Sequence, residues 1–431
     1  MAASKLSKGV QSVLPRMKSV VNASRIGSFS DENVWTVFTP LANRLKAVNL
    51  GQGFPGWEAP QFLKDNACAA IQENFNQYTR SEGHLNLVQE LARGYSSTLK
   101  REIEPMSEVC VVNGCTEAVY SSLQGLVDPG DRVVMFSPFF DMYKPQIEIA
   151  GGVPVTVPME LVDSKWTFDE KELRRAVVDG DAKVLLLNSP HNPSGKVFTK
   201  SELETIAGIV RESSRTVVLS DEVYQFISYN DDSEYVSIAA MDGMAERTLV
   251  LSSSGKTFSV TGWKIGWCVG PSHLISCVQS VHGLVSFCTS TASQEAIARS
   301  LRQAEEPYED SPSYYAHLSK IYRKKRDFLS AALDDVGLTP AIPEGSFFTV
   351  CDISGFRMPE EYESMEGVTR DWAFCLFLAE TYGVVAIPMS PFYSEDQQHL
   401  SRNLVRFAFC KTDEQLEEAA SRLQGLSQHR I

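Results

Sequence analysis

Ser252-Ser253-Ser254-Gly255-Lys256-Thr257-Phe258-Ser259-Val260-Thr261-Gly262-Trp263-Lys264-Ile265-Gly266-Trp267 follows one short apolar run, Thr248 to Leu251, and overlaps the start of another, Ile265 to Val269. Runs of that length bounded by small polar residues predict two buried strands with a turn between them. The turn carries two lysines, several hydroxyls and glycines. Hydroxyls and backbone N–H groups at a strand end can cradle an anion, and a lysine there can serve as point charge or nucleophile. A lysine in a turn is ordinarily a solvated charge, so its neighbours in space must decide. Gly255-Lys256-Thr257 also matches the end of a nucleoside-triphosphate loop, but that pattern needs a glycine where the chain has Val250.

Outward from this stretch, apolar runs alternate with helical patterns. Glu108 to Val112, Arg132 to Phe136, Lys183 to Leu187, Thr216 to Leu219 and Thr248 to Leu251 have few polar breaks, as expected of strands covered on both faces. Thr199-Lys200-Ser201-Glu202 is a capping box, and Leu203, Ile206, Ala207 and Val210 follow at helical spacing. Strands alternating with helices predict an α/β fold with a mostly parallel, mixed sheet covered by helices. Directly after the runs come Asn113-Gly114-Cys115-Thr116, Ser137-Pro138-Phe139-Phe140, Asn188 to Pro193 and Ser220-Asp221-Glu222-Val223-Tyr224, and then the opening stretch. Ligands of open α/β sheets bind outside the carboxyl ends of the strands, so five strand ends converge on one predicted site.

The flanks read differently. Val34 to Leu45 is apolar at roughly helical spacing, and Asn49 to Gly56 breaks it as a turn where backbone approaches something closely. Tyr314 to Asp335 predicts a charged helix, Asn403 to Phe409 alternates like a strand around Arg406, and Thr412 opens a final helix through a capping box with Gln415. The expected domains are an N-terminal segment 31–50, a large domain 51–310 and a smaller α+β domain 311–431. Residues 1–30 hold basic residues and serines with no acid, the composition of a poorly ordered tail or an organelle transit segment; the compartment is expected to be cytoplasmic, with a mitochondrial alternative.

A chain of 431 residues, 43% hydrophobic, can bury large cores. Its formal net charge of −14 argues against nucleic acid or an anionic membrane as a general partner, and no apolar run is long enough to span a bilayer. Nine scattered cysteines without a C-x-x-C pair, and histidines without an H-x-x-x-H pair, predict neither a disulfide framework nor a metal site.

The strand-end groups together suit pyridoxal 5'-phosphate. Asp221 can keep a pyridine nitrogen protonated, Tyr224 and Asn192 can hydrogen-bond the ring hydroxyl, and Phe140 can stack on the ring. Gly114, Cys115 and Thr116 at a helix start offer N–H groups to the phosphate. Lys256 would form the Schiff base and later move a proton, helped by desolvation and a cationic neighbour such as Lys264. Arg406 offers a planar fork for an α-carboxylate. Each residue alone has a plainer role: an N-cap for Asp221, core for Tyr224 and Phe140, a turn for Asn192, a surface ion pair for Arg406.

Asn192-Pro193, Ser220 to Tyr224, Ser253 to Phe258, Gly262 to Gly266 and Asn403 to Phe407 resemble the motif set of class I aminotransferases of fold type I. Asn49 to Pro55, Asn76 to Thr79 and Pro138 to Asp141 are similar to their kynurenine and glutamine transaminase branch, whose members often act as cysteine S-conjugate β-lyases as well. The resemblance, from about Trp35 to Lys411, implies a large domain with a seven-stranded mixed sheet and a homodimer with composite sites. It implies Lys256 as the Schiff-base lysine, with Asp221, Asn192, Tyr224 and Phe140 around the ring. Cys115, Ser253 and Lys264 would hold the phosphate, joined by Tyr78 from the neighbouring subunit. Arg406 and Asn192 would bind the carboxylate of an amino acid or 2-oxo acid, with Gly53, Trp35 and Phe287 shaping the side-chain pocket. Cys115 and Cys288 depart from the branch, which favours apolar, aromatic or sulfur-containing donors over kynurenine alone. β-Elimination on the same site and a non-catalytic amino-acid-binding regulator are the rival functions.

Overall fold

The computed structural model describes residues 33–229 and 235–431, so the basic stretch 1–30 and its reading as tail or transit segment lie outside the described residues. Strands β1 (Val48–Asn49), β2 (Val109–Val112), β3 (Arg132–Ser137), β4 (Val153–Val162), β5 (Lys165–Phe168), β6 (Val184–Asn188), β7 (Val217–Asp221), β8 (Thr248–Ser253) and β9 (Gly266–Val269) are followed by β10 (Thr339–Ala341), β11 (Phe348–Asp352), β12 (Val384–Val385), β13 (Ile387–Pro388) and β14 (Leu404–Ala408). The large sheet runs β2-β9-β8-β7-β6-β3-β4-β5. Its β8-β7-β6-β3-β4 stretch is parallel, and β9 runs antiparallel to both neighbours.

The apolar runs form this sheet because both of its faces are covered. Every residue of β2, β6, β8 and β9 is buried. Alternate residues feed two cores: Val111, Val134, Leu185, Val218 and Val250 on one face, Cys110, Val133, Leu186, Leu219 and Leu249 on the other. The implied seven strands become eight, for a local reason. Residues 153–158 of β4 pair with β3, while its overhang, Met159 to Val162, folds back on β5 as a hairpin.

The central strands also run further than their apolar runs. β6, β7 and β8 end at Asn188, Asp221 and Ser253, because the ladder continues through polar residues: Asn188 stands opposite Asp221, and Asp221 opposite Leu251. The polar side chains of the site are therefore fixed by sheet hydrogen bonds.

Six helices bear on the site or on the sequence expectations: α1 (Val34–Leu45), α2 (Gly114–Leu126), α3 (Lys200–Glu212), α4 (Ser272–Val285), α5 (Tyr314–Asp335) and α6 (Asp413–Leu423). The expected capping boxes at Thr199 and Thr412 are both formed. α1 starts on an N-cap, Asn33, whose side chain accepts from the Trp35 and Thr36 N–H groups. A second, antiparallel sheet runs β10-β11-β14-β13. β1 pairs in parallel with β12, which ties the N-terminal segment to the C-terminal part of the chain. Among the described residues no helix is long and apolar enough to cross a membrane.

Leu219, fully buried in β7 between parallel neighbours, tests the sheet. Leu219→Ala is expected to lower unfolding free energy by roughly 2–5 kcal/mol through lost burial and a residual cavity, read from urea denaturation.

Candidate active site

One cavity of about 240 Å³ lies at the carboxyl ends of the parallel strands and at the start of α2. Of the residues expected at the site, Trp35, Gly53, Gly114, Cys115, Thr116, Phe140, Asn192, Asp221, Tyr224, Ser253, Lys256, Lys264 and Arg406 line it. Tyr78 and Phe287 do not. They are 85% and 52% exposed, and their rings meet edge to face with centroids 5.3 Å apart. Within one chain they form a surface aromatic pair.

Asp221 ends β7 on the cavity floor and accepts hydrogen bonds from Tyr143 (2.6 Å), from the Val223 N–H (3.2 Å) and from the Cys115 thiol (3.4 Å). Burial pushes its carboxyl above the usual carboxylate range, while these bonds pull the other way. A cation facing Asp221 would restore its charge. Tyr143 was not singled out by the sequence. It stands three residues after Phe140, their rings near perpendicular and 5.4 Å apart, so the loop after β3 supplies the ring face and the first residue of the short helix that follows supplies the brace.

Asn188 ends the neighbouring strand. Its amide donates to the Asp221 carbonyl (2.9 Å), and its side-chain oxygen accepts from the Asn192 N–H (2.8 Å). Asn192 is thereby held for Arg406, whose Nη1 donates to its Oδ1 at 2.9 Å. Arg406 Nη2 donates to the Gly51 carbonyl at 2.9 Å, and its Nε has no partner among the described residues. The guanidinium is 1% exposed, lies 4.1 Å from the Phe348 ring centroid and has no carboxylate within ion-pair distance among the described residues. Burial pushes it down to about 10.

The opposite end of the cavity is built for an anion. The first turn of α2, Gly114 to Thr116, presents the helix's positive end. Gly114 has φ of 76°, and a Cβ there would lie 3.0 Å from Lys264 Nζ, so the turn needs glycine to bring backbone and ammonium together. Lys264 itself adopts a left-handed φ of 56°, a strained conformation of the kind retained at functional sites. Glu117 braces the turn from below: one oxygen accepts from the Asn113 N–H (2.6 Å) and the other meets His282 of α4 (2.6 Å). In sequence Glu117 reads only as an acid complementing a helix start.

Lys256 lies between the two ends and donates to the Gly53 carbonyl at 3.0 Å. Burial, joined by the Arg406 and Lys264 charges and opposed by Asp221, lowers its amine to about 8. Three cations and one carboxylate thus line a cavity in a strongly acidic chain. The donor set fits pyridoxal phosphate: an acid for the ring nitrogen, an aromatic face, a phenol and an amide, an anion-binding turn and a partly neutral amine.

A family model described as aminotransferase class I and II matches residues 46–423. The chain is 40% identical over 415 residues to a kynurenine–oxoglutarate transaminase of Dictyostelium discoideum, covering 91% of this chain and 94% of that one. Among solved structures, the N-succinyldiaminopimelate aminotransferase of Mycobacterium tuberculosis superposes with a TM-score of 0.84 at 36% identity, over 94% of this chain and all of that one. YbdL of Escherichia coli, whose structure identified a methionine aminotransferase function, gives 0.83 at 30% identity, over 94% of this chain and 99% of that one.

A depressed lysine makes stability depend on pH. Between about 8 and its unfolded value near 10.4 the unfolded chain binds more protons at Lys256, so the penalty for burying the charge is full below pH 8 and is relieved as pH rises. In cofactor-free protein, the stability difference between wild type and Lys256→Met is expected to move in favour of wild type by up to about 3 kcal/mol across that window. Urea melts from pH 7.5 to 10.5 check it.

Proposed function

This chain belongs to the family of class I and II aminotransferases, and on that premise we propose that it moves the amino group of an aromatic, apolar or sulfur-containing L-amino acid to a 2-oxo acid. The family is in general dependent on pyridoxal 5'-phosphate. When bound, that cofactor supplies an electron sink for charge developing at the substrate Cα. The names of the relatives, kynurenine–oxoglutarate transaminase and methionine aminotransferase, support the donor class.

The observation that carries the reading is Arg406: a buried guanidinium with no carboxylate in contact among the described residues, lining the cavity that also holds a lysine lowered to about 8. Such a cation is complementary to a carboxylate from outside. Asn192, already bonded to Arg406, adds a side-chain amide to the same carboxylate. Around it stand Trp35, Gly53, Phe348 and Met142, which offer no further charge to a donor side chain. Apolar and aromatic donors follow from that lining.

In the proposed division of labour, Lys256 would hold the cofactor through its amine and, once free, would serve as the base that takes the substrate Cα proton. Asp221, steadied by Tyr143, would hold the ring nitrogen; Tyr224 and Asn192 would take the ring oxygen; Phe140 would cover a ring face. Gly114, Cys115, Thr116, Ser253 and Lys264 would take the phosphate. The division into a large domain, 51–310, and a small one, 311–431, belongs to the same proposal. So does a homodimer in which Tyr78 and Phe287 complete the partner's site; their exposed rings support it.

Adding pyridoxal phosphate is expected to give a visible absorbance band that L-amino acids bleach. Arg406→Ala should keep the band and lose roughly 2–5 kcal/mol of substrate binding, about thirtyfold to several thousandfold. An absent band, or an unchanged lysine-linked band in Lys256→Ala, sinks the reading. Mixing Tyr78→Ala with Lys256→Ala subunits tests the composite site, because activity returns only if Tyr78 crosses to the neighbouring subunit.

A further inference from the structure

Four consecutive peptide carbonyls, Gly51 to Phe54, accept hydrogen bonds from cationic side chains, and the donors alternate. Gly51 accepts from Arg406 Nη2 (2.9 Å) and Gly53 from Lys256 Nζ (3.0 Å). Gln52 and Phe54 both accept from Lys411 Nζ, at 2.9 and 3.3 Å. The Cys410 thiol adds a bond to Phe54 at 3.3 Å and a longer one, 4.0 Å, to Gln52. One side of the loop thus faces the two groups assigned to the reaction, and the other side is held by one ammonium, Lys411, with the neighbouring Cys410 thiol beside it.

Lys411 has the profile of a residue kept for its position. It is buried, and its ammonium lies 4.7 Å from the Phe54 ring centroid. Among the described residues no carboxylate stands within ion-pair distance of it. A buried ammonium served only by carbonyls is unfavourable unless its geometry is used, and an apolar side chain of the same length would fill the space without that penalty. Lys411 stands three residues beyond the end of β14, so the chain that leaves the strand carrying Arg406 carries the peg.

The loop has little freedom elsewhere. Asn49 Oδ1 accepts from the Gly51 and Gln52 N–H groups at 2.9 and 3.2 Å. A Cβ on Gly53 would lie 2.5 Å from the Phe348 ring, the ring against which Arg406 stacks. A twist that releases the Gln52 and Phe54 carbonyls would swing those of Gly51 and Gly53 as well.

We infer that Lys411 is a positioning residue of the reaction: by holding the Gln52 and Phe54 carbonyls it aims those of Gly51 and Gly53 at Arg406 and Lys256. It thereby sets the spacing between the cation that takes a substrate carboxylate and the amine that does the chemistry. The inference rests on the proposed function and adds to it a residue that lies outside the cavity.

Lys411→Met is the test, with Lys411→Gln, a shorter neutral side chain that cannot span both carbonyls, as the second variant. In the cofactor-loaded protein, calorimetry with 3-phenylpropanoate, a carboxylate without an amine, reads Arg406 alone, and pyridoxal phosphate titration reads the opposite end of the cavity. Either variant is expected to bind 3-phenylpropanoate at least tenfold more weakly and to slow the half-reaction at saturating amino acid, with cofactor affinity within twofold of wild type. Wild-type values for probe and half-reaction in a folded variant would overturn the inference, as would equal losses of probe, cofactor and thermal stability, which mark a merely structural residue. Failure of the wild-type protein itself to bind cofactor and probe would instead overturn the functional reading on which the inference stands.

Discussion

A buried guanidinium with no carboxylate in contact among the described residues is the constraint on which the site depends. Breaking a buried ion pair by removing one partner typically costs about 3–5 kcal/mol, and Arg406 is built as if its partner had been left out. It is tolerated because neutral groups stand in. The Asn192 amide oxygen and the Gly51 carbonyl each take one N–H, and the rings of Phe348, Phe392 and Trp35 lie 4.1, 4.9 and 5.7 Å from the guanidinium carbon. The donor and its two acceptors come from three distant parts of the sequence. Strand β14 delivers the arginine, the loop after β6 delivers Asn192, and the turn after β1 delivers Gly51. The cation can be buried only if both sheets and the N-terminal segment are in place.

The same economy explains why the strands end in polar residues. A parallel sheet covered on both faces hides its strands, so a carboxylate or amide at a strand end is held by ladder bonds on one side and opens to a cavity on the other. Asn188 and Asp221 are register partners, and each steadies a group beyond itself: Asn188 the Asn192 loop, Asp221 the side chains of Tyr143 and Cys115. Rigidity comes from the sheet and reactivity from the ends.

Much of this was legible in the chain. Continuous apolar runs located the buried strands, and capping boxes at Thr199 and Thr412 located two helices, because those signals are local. Lys256, Asp221 and Asn192 were legible through their places after such runs, and Arg406 as the arginine in the middle of an alternating strand. The groups that were missed act through others. β4 pairs with β3 along its first part and with β5 along the rest, and most of its residues are half-buried or exposed, so its mixed polarity carries no apolar run. Tyr143 looks like core, Glu117 like a helix-start acid, and Lys411, two residues before Asp413, like a solvated charge; only the folded chain shows Tyr143 on Asp221, Glu117 on His282 and Lys411 on two carbonyls. Tyr78 and Phe287 were singled out, yet one chain alone leaves them on its surface.

Placing cations together also gives the lysine a basicity that depends on the ligand. Burial lowers Lys256 first, and the Arg406 charge lowers it further. Under the proposed function a substrate carboxylate seats on Arg406 and cancels that second contribution, while burial persists. Lys256 is then a weaker base in the empty site, where a neutral amine is needed as nucleophile, and a stronger one in the filled site, where a proton must be taken from Cα. The distance over which this operates is fixed by the Gly51 and Gly53 carbonyls, each occupied by one of the two groups. A single uncompensated cation can thus recruit the substrate and retune the amine that acts on it.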